Sequence, residues 1–390
     1  MRLLTFSTLF PNSIRPGHGI FVETRLRQLI ASGEVEVRVV APVPWFPFAY
    51  EAFGNYARFA QVPKSETRFG IQVEHPRYFL PPKISTNIAP ELLALGAKPC
   101  IARLIDEGFD FDLIDAHYFY PDGVAAIALG KYFNKPVVIT ARGSDITLLP
   151  NFPVPRKKII RAAEKADGII TVCNALRDEL ISLGGDANKI VSLRNGVDLE
   201  LFKPREQSSN ANSLEGGRKI NLLTVGHLVP VKGHELILRS LPLLPQTHLF
   251  IAGDGALRKP LENLASMLKI NDRVTFLGAL KQTELQQHYS AADVFILASE
   301  REGWANVLLE SMACGTPVVA SRVWGTPEVV AAPEAGLLIE ERTPDALAKA
   351  VTSLISNYPD RKATRRYAEQ FSWRATTDGQ LQLFKHILRR

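Results

Sequence analysis

The sequence predicts an α/β protein of two units in series, each a mostly parallel sheet with helices on both faces. Three observations carry that prediction. Apolar strand-like runs alternate with helical runs from the start to about 200, the rhythm begins again at 220, and a polar, Ser/Asn/Gly-rich stretch from 203 to 218 separates the two. At 390 residues the chain also exceeds what one ordinary core serves.

In the first half, strands are expected at 2–7, 35–41, 112–117, 137–141, 168–173 and 189–193, and helices at 20–31, 88–106, 123–132, 155–165 and 175–183. Such sheets bind ligands beyond the carboxyl ends of their strands, so the loops after strands are where chemistry belongs. The loop after the first strand holds Gly17-His18-Gly19 just before a helix. Glycines there let backbone N–H groups approach an anion at the helix's positive end. Val22 stands where a third glycine would complete the dinucleotide fingerprint, which argues against a nicotinamide enzyme.

From 42 to 61 the rhythm breaks into PVPWFPFAYEAFGNYARFAQ, aromatic rings set among prolines. It reads either as an irregular segment folded over the core or as an apolar acceptor or membrane-contact surface. His117 and Arg142 follow at the ends of two later strands, the second in Thr140-Ala141-Arg142-Gly143-Ser144-Asp145, and both loops open toward one crevice if those strands are neighbours. The helix at 155–165 sets Arg156, Lys157, Lys158, Arg161 and Lys165 around Ile159 and Ile160, either a solvated surface or a face for anionic lipid. Asn195-Gly196-Val197-Asp198 closes this half. The expected domains are therefore 1–202, a linker at 203–218, 219–372, and a final helix at 373–390 that returns to the first domain.

The second half opens with a strand at 220–225 and the loop from Gly226 and His227 to Lys232 and Gly233, leading to a helix from His234. A strand at 248–252 feeds Gly253-Asp254-Gly255, one at 274–277 ends on Leu277 before Gly278, and one at 293–298 feeds the loop Glu300-Arg301-Glu302-Gly303. A short helix then carries Glu310, with Asn306 expected as its cap, until Gly315 ends it.

Composition narrows the function. With 46% hydrophobic and 22% charged residues the chain reads as globular, and a net charge of +6 predicts mild attraction to anions, whether nucleic acid, lipid or phosphorylated substrate. Basic and acidic residues are intermixed without a recognised nucleic-acid motif, which argues against nucleic acid. Three scattered cysteines suggest buried thiols in a reducing compartment. No apolar run approaches the ~20 residues that span a bilayer, and Pro11 interrupts the N-terminal run too soon for a signal peptide. The expected location is the cytosol, or the inner face of a membrane.

Lys232, in a glycine-flanked loop before a helix, offers a diphosphate a point charge that can replace a metal ion. Glu302 and Glu310, eight residues apart, would lie about 80° out of alignment if both were helical. On a loop and a helix they can reach different parts of one elongated ligand. Carboxylates accept from hydroxyls, so sugar and ribose hydroxyls are natural targets.

The run from Glu302 to Val319, EGWANVLLESMACGTPVV, resembles the E-x7-E signature of glycosyltransferase family 4. Gly17-His18-Gly19 is similar to that family's N-terminal glycine loop, Asn195 to Asp198 to its interdomain landmark, and Gly226 to Gly233 to its phosphate loop; 10–25, 117–123 and 142–146 resemble teichuronic-acid and exopolysaccharide members. The resemblance implies the GT-B fold, two Rossmann-like domains facing across a cleft, and a metal-independent enzyme that transfers sugar from a nucleotide-diphosphate donor with retention of configuration. The acceptor it implies is a glycan or lipid-linked molecule in cell-surface polysaccharide synthesis, with no cofactor beyond the donor substrate.

It further implies Lys232 on the diphosphate, Glu302 on the donor sugar and Glu310 on the ribose. Gly19, Gly226, His227, Gly253, Gly255, Leu277, Gly303, Trp304, Ala305 and Asn306 would line the donor site. His117 and Arg142 would stand at the bond being broken, and Asp145 on the acceptor side. Two positions depart from the pattern, His227 where many members carry Arg, and Arg142 where many carry His. Arg142 can stabilise departing phosphate by bidentate hydrogen bonds instead. Asp110-Phe111-Asp112 looks like a metal-binding DxD but precedes a first-domain strand, where a turn is expected. The departures leave room for a non-catalytic sugar-nucleotide-binding subunit, and the same two-domain plan for a nucleotide-sugar epimerase.

Overall fold

The computed structural model describes residues 1–48, 50, 55–80, 85–205 and 219–389. The chain divides into two compact units, Met1–Leu193 with Arg374–Arg390, and Arg194–Trp373.

The first unit contains β1 (Arg2–Phe6), β2 (Glu36–Val40), β3 (Val43–Pro44), β4 (Ser65–Arg68), β5 (Ile71–Glu74), β6 (Arg77–Tyr78), β7 (Leu113–His117), β8 (Val137–Ala141), β9 (Gly168–Thr171) and β10 (Ile190–Ser192). Its main sheet runs β10-β9-β8-β7-β1-β2-β5-β4, parallel except for β4 on β5. Strands β7 and β8 are buried along their whole length, as expected of a parallel sheet covered on both faces. All six expected strands are present, as β1, β2, β7, β8, β9 and β10; β3 to β6 are additional to them. Within the aromatic stretch a helix spans Asn55–Gln61, while residues 49 and 51–54 lie outside the described residues.

The second unit contains β11 (Ile220–Val225), β12 (Thr247–Ala252), β13 (Val274–Gly278), β14 (Val294–Leu297), β15 (Val318–Ser321) and β16 (Gly336–Ile339), in the all-parallel order β13-β12-β11-β14-β15-β16. Leu222, Leu249, Ile251, Ile296 and Val319 pack into its core with Ile237, Leu347 and Val351 from the helices.

The final helix, Trp373–Leu388, joins the first unit: Leu381, Phe384 and Ile387 bury among Leu3, Leu26, Val138 and Ile170. The unit boundary falls before the expected 202, because the segment after Leu193 packs on the second unit. Val197 N–H donates to Phe371 O (2.9 Å), Arg365 holds the carbonyls of Leu199 (3.2 Å) and Phe202 (2.5 Å), and the Phe202 ring sits 5.8 Å from Tyr289. Residues 206–218 of the expected linker lie outside the described residues.

Candidate active site

Among the parallel strands of each main sheet the order reverses once, and a crevice opens at such a switch point. In the second unit the switch lies between β11 and β14. The loops after these strands are laced together: Glu300 N–H donates to Val231 O at 2.8 Å, and Arg342 donates to Ala298 O at 3.1 Å. Gly233 has φ +69°, and a Cβ there would lie 2.1 Å from Ala298 O, so both the turn and the close approach require glycine. This lacing brings Lys232 Nζ to 2.6 Å from Glu302 Oε1, which also accepts from Ser299 Oγ at 2.7 Å. The ammonium keeps two further protons to donate.

Glu310 stands on the helix Asn306–Ala313 and accepts from Tyr289 Oη at 2.9 Å. Burial pushes its carboxyl up to about 7, with the Tyr289 and Gln282 hydrogen bonds pulling the other way. Asn306 does not cap this helix. The capping position is Ala305, with no side-chain bond, and Asn306 Oδ1 instead accepts from Asn195 Nδ2 at 3.3 Å. Trp304 is buried against Phe371 (6.0 Å between rings) with the Arg194 guanidinium 5.6 Å from its ring centre, and among the described residues its indole N–H has no hydrogen-bond partner.

The remaining glycine loops close the same edge. Gly226 N–H donates to Ala252 O (3.0 Å), Leu228 N–H to Asp254 O (3.0 Å) and Gly253 N–H to Gly278 O (2.7 Å), which gathers Gly253, Gly255 and the strand end at Leu277 beside Gly226. His227 is exposed. Sequence reasoning missed His234, whose ring is buried under this loop with Nε2 3.3 Å from His227 O; burial first, then Lys232, lowers its pKa to about 4.

In the first unit the switch lies between β1 and β7. Gly19, with φ +68°, precedes the helix Ile20–Ala31, and a Cβ there would lie 2.2 Å from Leu9 O. His117 and Arg142 end adjacent strands and meet, Arg142 Nη2 lying 2.7 Å from His117 Nδ1. Arginine only donates, so Nδ1 accepts and the ring proton sits on Nε2, 3.2 Å from Asp115 Oδ2. Burial holds this imidazole below its ordinary pKa. Burial, then the charge of Arg25, lowers Arg142 to about 9.

Asp115 also accepts from Gln380 Nε2 (3.1 Å) on the C-terminal helix, and Gln380 Oε1 accepts from Arg25 Nε (3.0 Å). Asp145 turns inward, accepting from the backbone N–H of Phe119 (2.7 Å), Arg142 (3.1 Å) and Gly143 (2.6 Å), so it clamps two loops together. Asp122 was not singled out from the sequence. It is buried, accepts from Thr8 N–H at 2.7 Å and Thr8 Oγ1 at 2.9 Å, and burial raises it to about 7.

Asp110 and Asp112 serve structure, pairing with Lys135 Nζ (2.6 Å) and Arg2 N–H (2.7 Å) respectively. Among the described residues no group of three His, Cys, Asp or Glu side chains could hold a metal ion.

Comparison with known proteins gives this geometry a family. The model of Glycosyltransferase Family 4 matches residues 17–201, and that of Glycosyl transferases group 1 matches 205–371. A D-inositol 3-phosphate glycosyltransferase of Mycolicibacterium gilvum is 30% identical over 315 residues, 76% of this chain and 70% of the relative. The chain belongs to glycosyltransferase family 4. A putative teichuronic acid biosynthesis glycosyltransferase of Bacillus subtilis is 26% identical over 358 residues, 90% of this chain and 88% of its own. Among solved structures, sucrose-phosphate synthase from Thermosynechococcus elongatus matches with a TM-score of 0.82 at 22% identity, covering 100% of this chain and 99% of that one. Anabaena HepE in complex with UDP-glucose matches with a TM-score of 0.72 at 19% identity, with 99% of each chain covered. The fold is GT-B, and this family-4 chain is a glycosyltransferase of that type.

Proposed function

We propose that this glycosyltransferase moves a sugar from a nucleotide-diphosphate donor to a glycan or lipid-linked acceptor, with retention of anomeric configuration, in cell-surface polysaccharide synthesis. The observation that carries the reading is the Lys232–Glu302–Ser299 cluster at the second sheet's switch point, with Glu310 on the helix that follows. Lys232 takes the diphosphate, Glu302 the donor sugar's hydroxyls and Glu310 the ribose. Gly303 to Asn306 and the loops at Gly226, Gly253 and Gly255 line the nucleotide, where the buried Trp304 N–H is a donor in want of an acceptor. In the first unit Gly19 presents the positive end of its helix, and Arg142 supplies further positive charge to the leaving diphosphate. Asp145 acts by holding the Arg142 loop rather than by touching acceptor.

In the reaction the bond from anomeric carbon to diphosphate oxygen breaks as the acceptor hydroxyl attacks the same face, and the leaving diphosphate takes the hydroxyl proton. No protein nucleophile is needed. Glu302, already bonded to Lys232 and Ser299, is suited to gripping hydroxyls rather than to attack. Lys232 and Arg142 supply the charge a metal ion would, so activity is proposed to survive chelation, with no cofactor beyond the donor substrate.

The work is proposed to occur at the cytoplasmic face of a membrane. No helix of the described residues is long and apolar enough to cross one. Support comes from Trp45, Phe48, Tyr50 and Tyr56, all about half exposed or more, and from a groove of about 1040 Å³ edged by Lys131, Lys158, Arg161 and Lys165. The test is a panel of nucleotide sugars screened for thermal stabilisation and slow hydrolysis. One donor should stabilise the protein and be consumed. Binding without hydrolysis or transfer would leave a binding subunit, and conversion without any acceptor would point to an epimerase.

A further inference from the structure

A second cavity in the first unit, about 190 Å³, opens at the carboxyl ends of β1, β2 and β5. Asn12, Arg15, His18, Phe59, His75 and Tyr78 line it, together with Thr8, the residue that donates to Asp122. It is smaller than the ~300 Å³ at which sites for whole drug-sized ligands begin, so it takes one group of a larger molecule.

The charges around it are arranged for an anion. Arg15 Nη2 lies 3.0 Å from His18 Nδ1, and His18 Nε2 lies 3.1 Å from Thr8 O. An arginine must donate, so His18 accepts on Nδ1 and gives its own proton to the carbonyl; the ring is a neutral prop that fixes the guanidinium. Arg15 also lies over the Phe59 ring, 5.7 Å from its centre. Burial, and then repulsion from Arg58, lowers the Arg15 pKa. The neighbouring acid, Glu66, is committed to Ser13 N–H (3.1 Å) and to His75 Nε2 (2.9 Å), and among the described residues no carboxylate pairs with Arg15 or Arg58. Two guanidinium groups that repel each other with no counter-ion among the described residues, one of them half-buried and braced, cost free energy that a bound dianion would recover.

We propose that this pocket binds a phosphate group of the acceptor, held by Arg15 with the charge of the exposed Arg58 reinforcing it from outside the lining, and with Phe59 against the adjoining part of the molecule. The inference rests on the reading of the chain as a transferase only for the word acceptor; the anion site stands on the pocket itself. The same chemistry serves a soluble sugar phosphate and a lipid phosphate. The aromatic rings beside it, Phe46 5.3 Å from Tyr56 and Tyr56 6.2 Å from Phe59, would favour the lipid.

The test is NMR of the full chain with ring-¹⁵N-labelled histidine, titrated with inorganic phosphate, glucose 1-phosphate and farnesyl phosphate, with donor nucleotide saturating the second unit. All three should move the His18 ring signals. Arg15→Gln and the exposed Arg58→Gln should each weaken that response about ten-fold, and Lys232→Ala should leave it unchanged. A farnesyl phosphate response at lower concentration assigns a lipid acceptor, and equal responses assign a soluble one. If the signals do not move, or move as much in Arg58→Gln as in wild type, the phosphate site is refuted. Because binding is read rather than turnover, a failure to detect glycosyl transfer with any donor would refute the transferase reading and leave this result standing.

Discussion

Arg142 Nη2 donates to His117 Nδ1 at 2.7 Å, and His117 passes its own proton toward Asp115. The histidine that ends β7 is thereby occupied at both ring nitrogens and kept neutral by burial. It orients the guanidinium and is not placed to exchange a proton with substrate.

Removing that acceptor should therefore act on turnover through Arg142. His117→Ala should lower kcat about ten- to a hundred-fold with little change in donor KM, the scale of one hydrogen bond to a charged group. His117→Asn, which keeps an acceptor, should recover part of the loss. Steady-state kinetics on the two variants distinguishes this from a general-base role, in which neither would retain activity.

Glu310 should make donor binding pH-dependent. Its carboxyl ionises at about 7, and the ionised form accepts ribose hydroxyls best, so affinity should rise as pH climbs through 7. For the free protein the sign is opposite. A carboxyl whose folded pKa is raised stabilises fully below its unfolded value and loses that contribution as pH rises from about 4.5 to about 7. Calorimetric titration with nucleotide from pH 5.5 to 8.5 checks the first, and Glu310→Gln should flatten the curve.

His234 should govern the acid limb of stability. Its folded pKa is depressed to about 4, so the contribution is present above the unfolded value near 6.5 and is lost as pH falls toward 4. Roughly 3 kcal/mol is the expected scale. Chemical denaturation at pH 7 and pH 4.5 should show a smaller pH difference in His234→Gln than in wild type.

The sheet-helix alternation was legible because it depends on residues near one another in the chain, and the same nearness put Glu302 on a loop and Glu310 on the helix after it. The short strands β3 to β6 were not legible, since two- and four-residue strands hold too little periodicity to see. Asn306 was misjudged because cap preference marks a neighbourhood and not a position, and here the side chain finds Asn195 instead. The unit boundary was drawn from polarity, which marks exposure, whereas the packing of Val197 and Phe202 decides it. The Arg25–Gln380–Asp115 contacts join residues hundreds of positions apart, and no local pattern announces them. The charged Asp115 inside the buried run LIDAH was the one available hint.

The most direct test of the account is turnover of Lys232→Ala at saturating donor, with binding of the nucleotide diphosphate measured in parallel. The kcat should fall about a hundred-fold or more with weakened diphosphate binding, because the charge that meets the leaving group is gone. Turnover equal to wild type would contradict it.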